Sequence, residues 1–334
     1  MAGPHAYDFS ALGARTPRLL IIVGSDVDAS ARKQGGYHVG GNSDVYKLLP
    51  QGFAFDQLNL GKQFLKTQKQ TDPTHYECVL NLVTDPDQHP HTLERLQKLL
   101  RGHRGRVINR PEAVLKTTRD QVARRLAGID GLHVPKIVRL RPGKPEHVAQ
   151  IIARAGLQFP LILRQAGMHT GKIVGVVGGI DELQAALTGA GDHFATEFVD
   201  LLGTDGLYRK YRVYFFGDRV IYRNLYASDQ WNVHSADHRR CLAARPQLVA
   251  QLQSMFTRPE GNFPEPVRQM FNCVRERMPV DFFGMDFGFR PDGQAVLFEA
   301  NATMSFFPSW PDIQFRFCVG PAQAAFRQML FPEN

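Results

Sequence analysis

Apolar positions fall in short blocks separated by polar, glycine-bearing stretches, and the period inside each block changes along the chain. Leu19 to Val23 is an unbroken apolar run, the mark of a strand buried on both faces. Tyr76 to Val83 (YECVLNLV) repeats that character, Leu93 to Leu100 spaces its apolar residues at the helical period, and Arg106 to Asn109 reads as a further short strand. Together these predict a βαβ layer. Between the first two strands, Gly24 to Lys62 is rich in Gly, Asp, Ser and Gln and clusters Gly35, Gly36, Gly40 and Gly41, which predicts a loop with at most a short helix. Pro111 opens one helix, PEAVLKTTRDQVARRLAGI, that stops at Gly128 and Gly131. Pro4 to Thr16 reads as a loose leader.

Beyond this helix, strands dominate. His133 to Leu140 reads as a connecting strand and Glu146 to Ala155 as a helix after Pro142 and Pro145. Pro160 to Gln165 and Lys172 to Val177 predict two strands around the turn Ala166 to Gly171, followed by a helix over Ile180 to Leu187. Phe194 to Val199, Tyr211 to Phe216 and Arg219 to Asn224 are strand candidates, the last two joined at Gly217-Asp218, so this sheet should be antiparallel. Arg245 to Arg277 mixes helix and loop around Pro259, Pro264 and Pro266, and two strands then flank Pro291-Asp292-Gly293. No internal repeat appears.

Length and composition narrow the class. The 334 residues suit two domains or one composite unit, and 43% hydrophobic against 22% charged residues excludes disorder as the main state. The run Leu19 to Val23 is far shorter than the ~20 residues of a membrane span and lacks the length of a signal-peptide core, so the expected location is cytoplasmic with no membrane partner. Cys78, Cys241, Cys273 and Cys318 form no CxxC pair, which predicts reduced, mostly packed thiols. Forty Lys plus Arg against 32 Asp plus Glu, a net charge of +8, suggests an anionic partner. Nucleotide, nucleic acid and acidic small substrate all satisfy that surplus, but no basic run with interleaved aromatics supports nucleic acid.

Three constellations carry candidate chemistry. In DFFGMDFGFRPDGQAVLFEANATM, Asp281 to Met304, a tight turn returns Asp286 toward Glu299, and Glu299 and Asn301, two apart on one strand, share a face. Three hard oxygen donors of this kind suit Mg²⁺ that shares its shell with phosphates; a salt-bridged hairpin is the alternative. In LILRQAGMHTGKIVGVV, Leu161 to Val177, a glycine turn flanked by Arg164 and Lys172 could let backbone N–H groups approach phosphate oxygens. It is not a P-loop, and an ordinary β-turn competes. Lys116, and then Lys210, Arg212 and Arg223 at strand positions, could line an anion-binding face or simply a solvated one.

The order and spacing of Lys116, Arg164 with its glycine turn, the segment EFVD, Arg212, and Asp286 with Glu299 and Asn301 resembles the ATP-grasp superfamily over about Arg106 to Pro308. Within it the chain looks most like the carboxylate–amine ligases related to D-alanine–D-alanine ligase, glutathione synthetase and the ribosomal-protein glutamate ligases. INRPEAVLKTTRDQVARRL and RKYRVYFFGDRVIYRNLYASDQWNVH look closer still to ATP-grasp regions attached to tetratricopeptide-repeat proteins, although no such repeat is present. The resemblance implies an α/β fold with α+β lobes: an N-terminal Rossmann-like pre-grasp domain over 1–110, an ATP-grasp N-lobe over 111–195 and a C-lobe with the metal and acceptor site over 196–334.

It also implies roles. Lys116 and Arg164 would contact the nucleotide phosphates, and Ala166 to Lys172, with Gly167, His169 and Gly171, would form a mobile lid. Glu197, Phe198 and Val199 would meet adenine, and Asp200 or Asp205 the ribose. Asp286, Glu299 and Asn301 would hold one or two Mg²⁺, with Mn²⁺ an allowed substitute. The implied reaction phosphorylates a carboxylate of a small molecule or peptide with ATP, and an amine acceptor then displaces phosphate to form an amide. Arg212 would support the transferring group, and Arg223, Trp231, His234, Thr303 and Ser305 the acceptor side. Two departures stand out: many relatives carry Lys at the place of Arg164, and D-alanine–D-alanine ligases carry Arg two residues before the first metal Asp, where this chain has Gly284, which shifts the expected catalytic stabilisation of the oxyanion to Arg212, Arg223 or His234. A kinase acting on a hydroxyl and a non-catalytic nucleotide-binding protein are the rival readings, and a homodimer is an open option.

Overall fold

The computed structural model describes residues 18–26, 42–50, 52–61, 71–167, 175–189, 191–234, 237, 240–242, 245–257, 261, 263–307 and 316–332. The expected leader, residues 27–41 of the 24–62 region and His169, Gly171 and Lys172 of the expected lid lie outside them.

The first sheet is parallel. Strands β1 (Leu19–Val23), β2 (Phe55–Asn59), β3 (Cys78–Asn81) and β4 (Arg106–Ile108) lie in the order β2-β1-β3-β4. Each residue of β1 is buried, as its uninterrupted apolar run requires. Helix α1 (Pro90–Leu99) crosses between β3 and β4 and buries Leu93 and Leu96. β2 is the element that patterning misses: FDQLN is polar, sits at the sheet edge and buries only its last two residues, so only the pairing of Leu19 to Val23 with Phe55 to Asn59 reveals a strand where a loop was expected.

Next, the expected helix over 111–129 breaks. It is α2 (Pro111–Val114) and α3 (Arg119–Leu126), with Thr118 extended between them at φ −59°, ψ 150°. The expected strand 133–140 is likewise two strands, β5 (Leu132–His133) and β6 (Ile137–Leu140), and they belong to different sheets. Pro135 lies at the break, where it cannot donate to a ladder and biases the chain to leave the sheet of β5 before joining that of β6.

The second sheet is antiparallel in the order β6-β9-β7-β8, with β7 (Leu161–Gln165), β8 (Gly175–Val177) and β9 (His193–Glu197). Helices α4 (Pro145–Arg154) and α5 (Ile180–Ala186) cover one face, where Val148, Ile152 and Leu183 pack with Leu140, Leu161, Leu163 and Ala195. Alternation then sends Ile137, Arg139, Arg164, Phe194 and Thr196 to the other face.

The third sheet, β11-β10-β12-β13-β5, joins β10 (Tyr208–Phe216), β11 (Arg219–Ser228), β12 (Phe282–Phe289) and β13 (Ala295–Asn301), with β5 parallel to β13 at its edge. One face packs Val213, Phe215, Phe283, Met285 and Phe287 against Met270, Phe271 and Val274 of α7 (Glu265–Arg277), which follows α6 (Pro246–Thr257). Phe215 and Phe283 stack there with ring centroids 4.4 Å apart. The opposite face is divided along its strands. Tyr214, Phe216 and Phe282 pack with Phe326 of α8 (Arg316–Leu330), while the even-numbered positions nearer the other end carry Arg212 and Asp286.

Asn109 fixes the first sheet to the third. It sits in the left-handed region at φ 55°, where its side chain pairs like a strand residue: Oδ1 accepts from Asp281 N and Phe282 N, both at 2.9 Å, and Nδ2 donates to Phe282 O at 2.8 Å. Among the described residues the cysteines are free, with Cys78, Cys241 and Cys318 buried and Cys273 exposed. Burial pushes the Cys78 thiol up to about 12, which makes it inert packing. No helix among the described residues is long and apolar enough to cross a membrane.

Candidate active site

The outward face of the second sheet and the charged end of the third enclose a cleft of about 770 Å³, open to solvent. Ile137, Arg164, Phe194 and Thr196 line it from one side and Leu297 to Asn301 from the other, while Thr84, Asp85 and Asp87, from the loop after β3, close one end. Thr117, Arg119, Val122 and Ala123 contribute from the α2–α3 region. That loop leaves the carboxyl end of a parallel strand, the usual place for ligand contacts in such sheets.

Three strands place the central charges in one row. Arg212 of β10 is the register partner of Asp286 of β12, which is in turn the partner of Glu299 of β13, so the three side chains project together. Arg212 grips Asp286 with two donors, Nη2 to Oδ2 at 2.6 Å and Nε to Oδ1. Burial opposes the Arg212 charge, but Asp286 outweighs it and holds the guanidinium pKa above its ordinary value. Lys210 Nζ lies 3.9 Å from Asp286 Oδ2. Its pKa is held down by burial, with Arg212 adding to that effect against the pull of Asp286. Glu299 Oε2 accepts from Arg119 Nη2 at 2.7 Å, and its Oε1 accepts from Asn301 Nδ2. Asn301 Oδ1 in turn accepts from Thr303 N at 2.9 Å.

Arg164 faces this row from the opposite sheet. No described residue bonds or ion-pairs with its guanidinium. Burial, then the charge of Arg119, pushes its pKa down to about 10 against the pull of Glu299 and Asp286. His234 is exposed near the same charges: partial burial and then Lys210 lower its pKa, with Arg164 contributing, while Asp237 raises it. Four cations, Arg119, Arg164, Lys210 and Arg212, thus surround two carboxylates.

Other expected positions lie elsewhere. The Lys116 side chain is exposed and does not line the cleft; the break between α2 and α3 brings Arg119 there instead, three residues later. Continuous helical phasing hid that change, and the Thr117-Thr118 pair ahead of the charged turn was the available signal. Asp205 pairs with Arg209 at 2.6 Å and Asp200 caps Leu202 N at 3.1 Å; neither lines the cleft. Glu197 is bound into the connection between β5 and β6, accepting from Lys136 N at 2.9 Å with His133 Nε2 at 3.4 Å. Phe198 packs edge-on against Trp231, with ring centroids 5.7 Å apart.

Arg223 is buried, and its guanidinium donates to Phe306 O and Asn224 Oδ1. Ser305 Oγ donates to Asp44 Oδ2 at 2.9 Å, while Thr303 lines the cleft and donates to Thr84 O at 3.1 Å. Gly284 has a packing reason: a Cβ there would come 2.5 Å from Met304 Sδ and 3.1 Å from Tyr214 Cε1, so no arginine side chain has room. Arg139 was not anticipated at all. It bonds Asp192 Oδ2 at 2.9 Å, Asp87 Oδ1 at 2.8 Å and Asp120 Oδ1 at 3.3 Å, and lies 4.5 Å from the Phe194 ring centroid. This ties the loop after β3, helix α3 and the second sheet together across the back of the cleft.

The donor set formed by Asp286, Glu299 and Asn301 is two carboxylates and an amide, all hard oxygens, which fits Mg²⁺. Among the described residues no group of three or more His, Cys, Asp or Glu is placed to hold a metal ion.

No family model and no curated protein matches the sequence. Solved structures do match the fold. The chain is similar to VanG D-Ala:D-Ser ligase from Enterococcus faecalis, at 13% identity and TM-score 0.55, over 94% of this chain and 98% of that one. It is similar to a RimK-domain ATP-grasp protein from Sphaerobacter thermophilus, at 12% identity and TM-score 0.51, over 94% and 99%. A third match is carboxyaminoimidazole ribonucleotide synthase from Aspergillus clavatus, complexed with ATP, at 12% identity and TM-score 0.50, over 86% and 70%. The chain has the ATP-grasp fold, as the resemblance implied. At these identities the likeness is one of fold.

Proposed function

We propose that this protein is an ATP-dependent carboxylate–amine ligase that forms an amide through an acyl-phosphate and releases ADP and phosphate. The observation that carries the reading is the row Arg212–Asp286–Glu299, whose Glu299 lines the cleft of an ATP-grasp fold together with Arg164, a guanidinium with no partner among the described residues. In this reading residues 1–110 form the pre-grasp domain, and the second and third sheets form the two lobes that close on ATP.

Adenine would lie toward the apolar lining of Ile137, Phe194 and Leu297, near Glu197 to Val199. The phosphates would meet Arg164, Arg119 and Lys210. Mg²⁺, held by Asp286, Glu299 and Asn301, would draw charge from the phosphoryl oxygens. A substrate carboxylate oxygen attacks the γ-phosphorus as the bond to the ADP oxygen breaks, and the amine then displaces phosphate from the acyl carbon. Arg212 uses Nε and Nη2 on Asp286, so its orientation is fixed before substrate arrives and its Nη1 remains for a phosphoryl oxygen. Exclusion of water by the closed lobes protects the acyl-phosphate. Arg223, committed to Phe306 O and Asn224, supports the loop that carries Ser305 rather than the reacting oxyanion.

The test is Mg²⁺-dependent phosphate release from ATP over pooled carboxylic acids and amines. Release that requires both an acid and an amine supports the ligase. A stable phosphorylated product formed without an amine overturns it in favour of a kinase.

A further inference from the structure

We propose that Arg119 is an internal counter-ion occupying the divalent cation's position on Glu299, so that the nucleotide-free site refuses a free divalent cation and admits one only as the phosphates draw Arg119 away. The inference rests on the reading that nucleotide and cation share this cleft, and goes beyond it in assigning an order and a residue that enforces it.

Both Asp286 oxygens accept from Arg212, Glu299 Oε1 accepts from Asn301 Nδ2, Glu299 Oε2 accepts from Arg119 Nη2, and Asn301 Oδ1 accepts from Thr303 N. Every oxygen of the expected metal set is therefore already committed to a protein donor. The surroundings are also the wrong sign for a lone cation. Arg119, Arg164, Lys210 and Arg212 leave a surplus of two positive charges over Asp286 and Glu299, and Asp286 and Asn301 are only 5% and 9% exposed, so water screens that surplus weakly. A cation arriving alone must displace a guanidinium while entering this field. A magnesium–ATP complex carries about two net negative charges and matches the surplus.

Arg119 is the cation placed to move. Arg212 is held by two bonds to Asp286 in the sheet, whereas Arg119 opens α3 at the cleft wall and spends one nitrogen on Glu299 and one on the Phe298 carbonyl at 3.0 Å. Arg164 already lines the cleft with no partner among the described residues and attracts the triphosphate first. Phosphate oxygens then compete for the Arg119 guanidinium, and its release frees Glu299 Oε2 for the incoming cation. No bond is made or broken covalently.

Binding measurements on the full chain test this. Mn²⁺ serves as the cation probe, read by electron paramagnetic resonance of the free ion, and a non-hydrolysable ATP analogue as the nucleotide, read by calorimetry. The parent should bind Mn²⁺ alone roughly 100-fold more weakly than in the presence of the analogue, within the usual span of coupling between sites. Arg119→Gln should tighten binding of Mn²⁺ alone by about tenfold and shrink that coupling, while weakening the analogue. Arg119→Lys, which keeps the charge, should still exclude the lone cation and controls for loss of packing. Equal Mn²⁺ affinity with and without analogue in the parent overturns the inference, as does an Arg119→Gln protein, folded by circular dichroism, whose lone-cation affinity is unchanged. If the parent binds no analogue with or without Mn²⁺, the nucleotide reading itself fails and takes the inference with it; analogue binding without the coupling sinks the inference alone.

Discussion

Two charged clusters flank the same cleft, and they are built on opposite principles. Around Arg139, the carboxylates of Asp87, Asp120 and Asp192 are matched by Arg139 itself together with Arg141 and Arg124, and each charge has a partner within 3.4 Å. Around Asp286 and Glu299 the cations outnumber the carboxylates, and Arg164 faces them with no partner among the described residues. A balanced network joins elements and has reason to stay shut. An unbalanced, half-buried one costs stability in the empty protein and becomes favourable only when an anion arrives, which is why unsatisfied charge in a cleft marks function more reliably than a salt bridge does.

The sharpest way to break the contrast is to remove one carboxylate from the unbalanced row. Glu299→Gln is expected to lower Mg²⁺-dependent ATP turnover by about 10²–10³-fold, the usual loss when one preorganised electrostatic group is removed from a phosphoryl or acyl transfer site. Its melting temperature should stay close to the parent's. Undiminished turnover, measured once an acid and an amine are found, would contradict the metal assignment.

On the balanced side, Arg139→Met should act on stability instead. It strands Asp87 and leaves Asp192 with Arg141 alone, and a cost of about 2 kcal/mol is expected from denaturant unfolding. Because Asp87 also borders the cleft, weaker binding of an ATP analogue should accompany the loss. An unaltered unfolding midpoint would show that the cluster is a surface feature and not a tie between sheets.

Arg164→Met separates the two principles most directly. Removing a desolvated guanidinium with no partner among the described residues should weaken the ATP analogue about tenfold yet raise the melting temperature of the ligand-free protein by about 2 °C. A drop in both quantities would mean that Arg164 has a structural partner after all.

These contrasts also explain how far sequence reasoning reaches. The β12–β13 hairpin was legible because a Pro-Asp-Gly turn separates two strongly apolar strands, and the spacing of Asp286, Glu299 and Asn301 across it needs no tertiary knowledge. The run Leu19 to Val23 and the hairpin of β10 and β11 were legible for the same local reasons. β2 was not, since FDQLN carries no strand pattern and is held by its neighbour. The α2–α3 break was hidden by good helical phasing on both sides, and with it the exchange of Lys116 for Arg119 at the cleft. The Arg139 cluster gathers residues 87, 120, 139 and 192, a set that only the packing of three elements defines.

The smallest expected effect tests the balanced cluster from within, through pH. Asp192 and Asp87 share Arg139, but their pKa values move in opposite directions. The bond from Arg141, reinforced by Arg139, holds Asp192 below the ordinary carboxylate value, so its ionised form stabilises the fold above that value and the benefit is lost as pH falls through its lowered pKa. Burial pushes Asp87 up despite Arg139, so ionisation there costs stability, and the cost disappears as pH falls to the ordinary carboxylate value. Asp192→Asn should therefore lose under about 1 kcal/mol at pH 7, with its gap to the parent closing on acidification below about pH 4. Asp87→Asn should be neutral or slightly stabilising at pH 7 and converge with the parent at the same acidic end. Urea unfolding of both variants across pH 3 to 7 reads the two curves, and gaps of the same sign would show that Arg139 treats its partners alike.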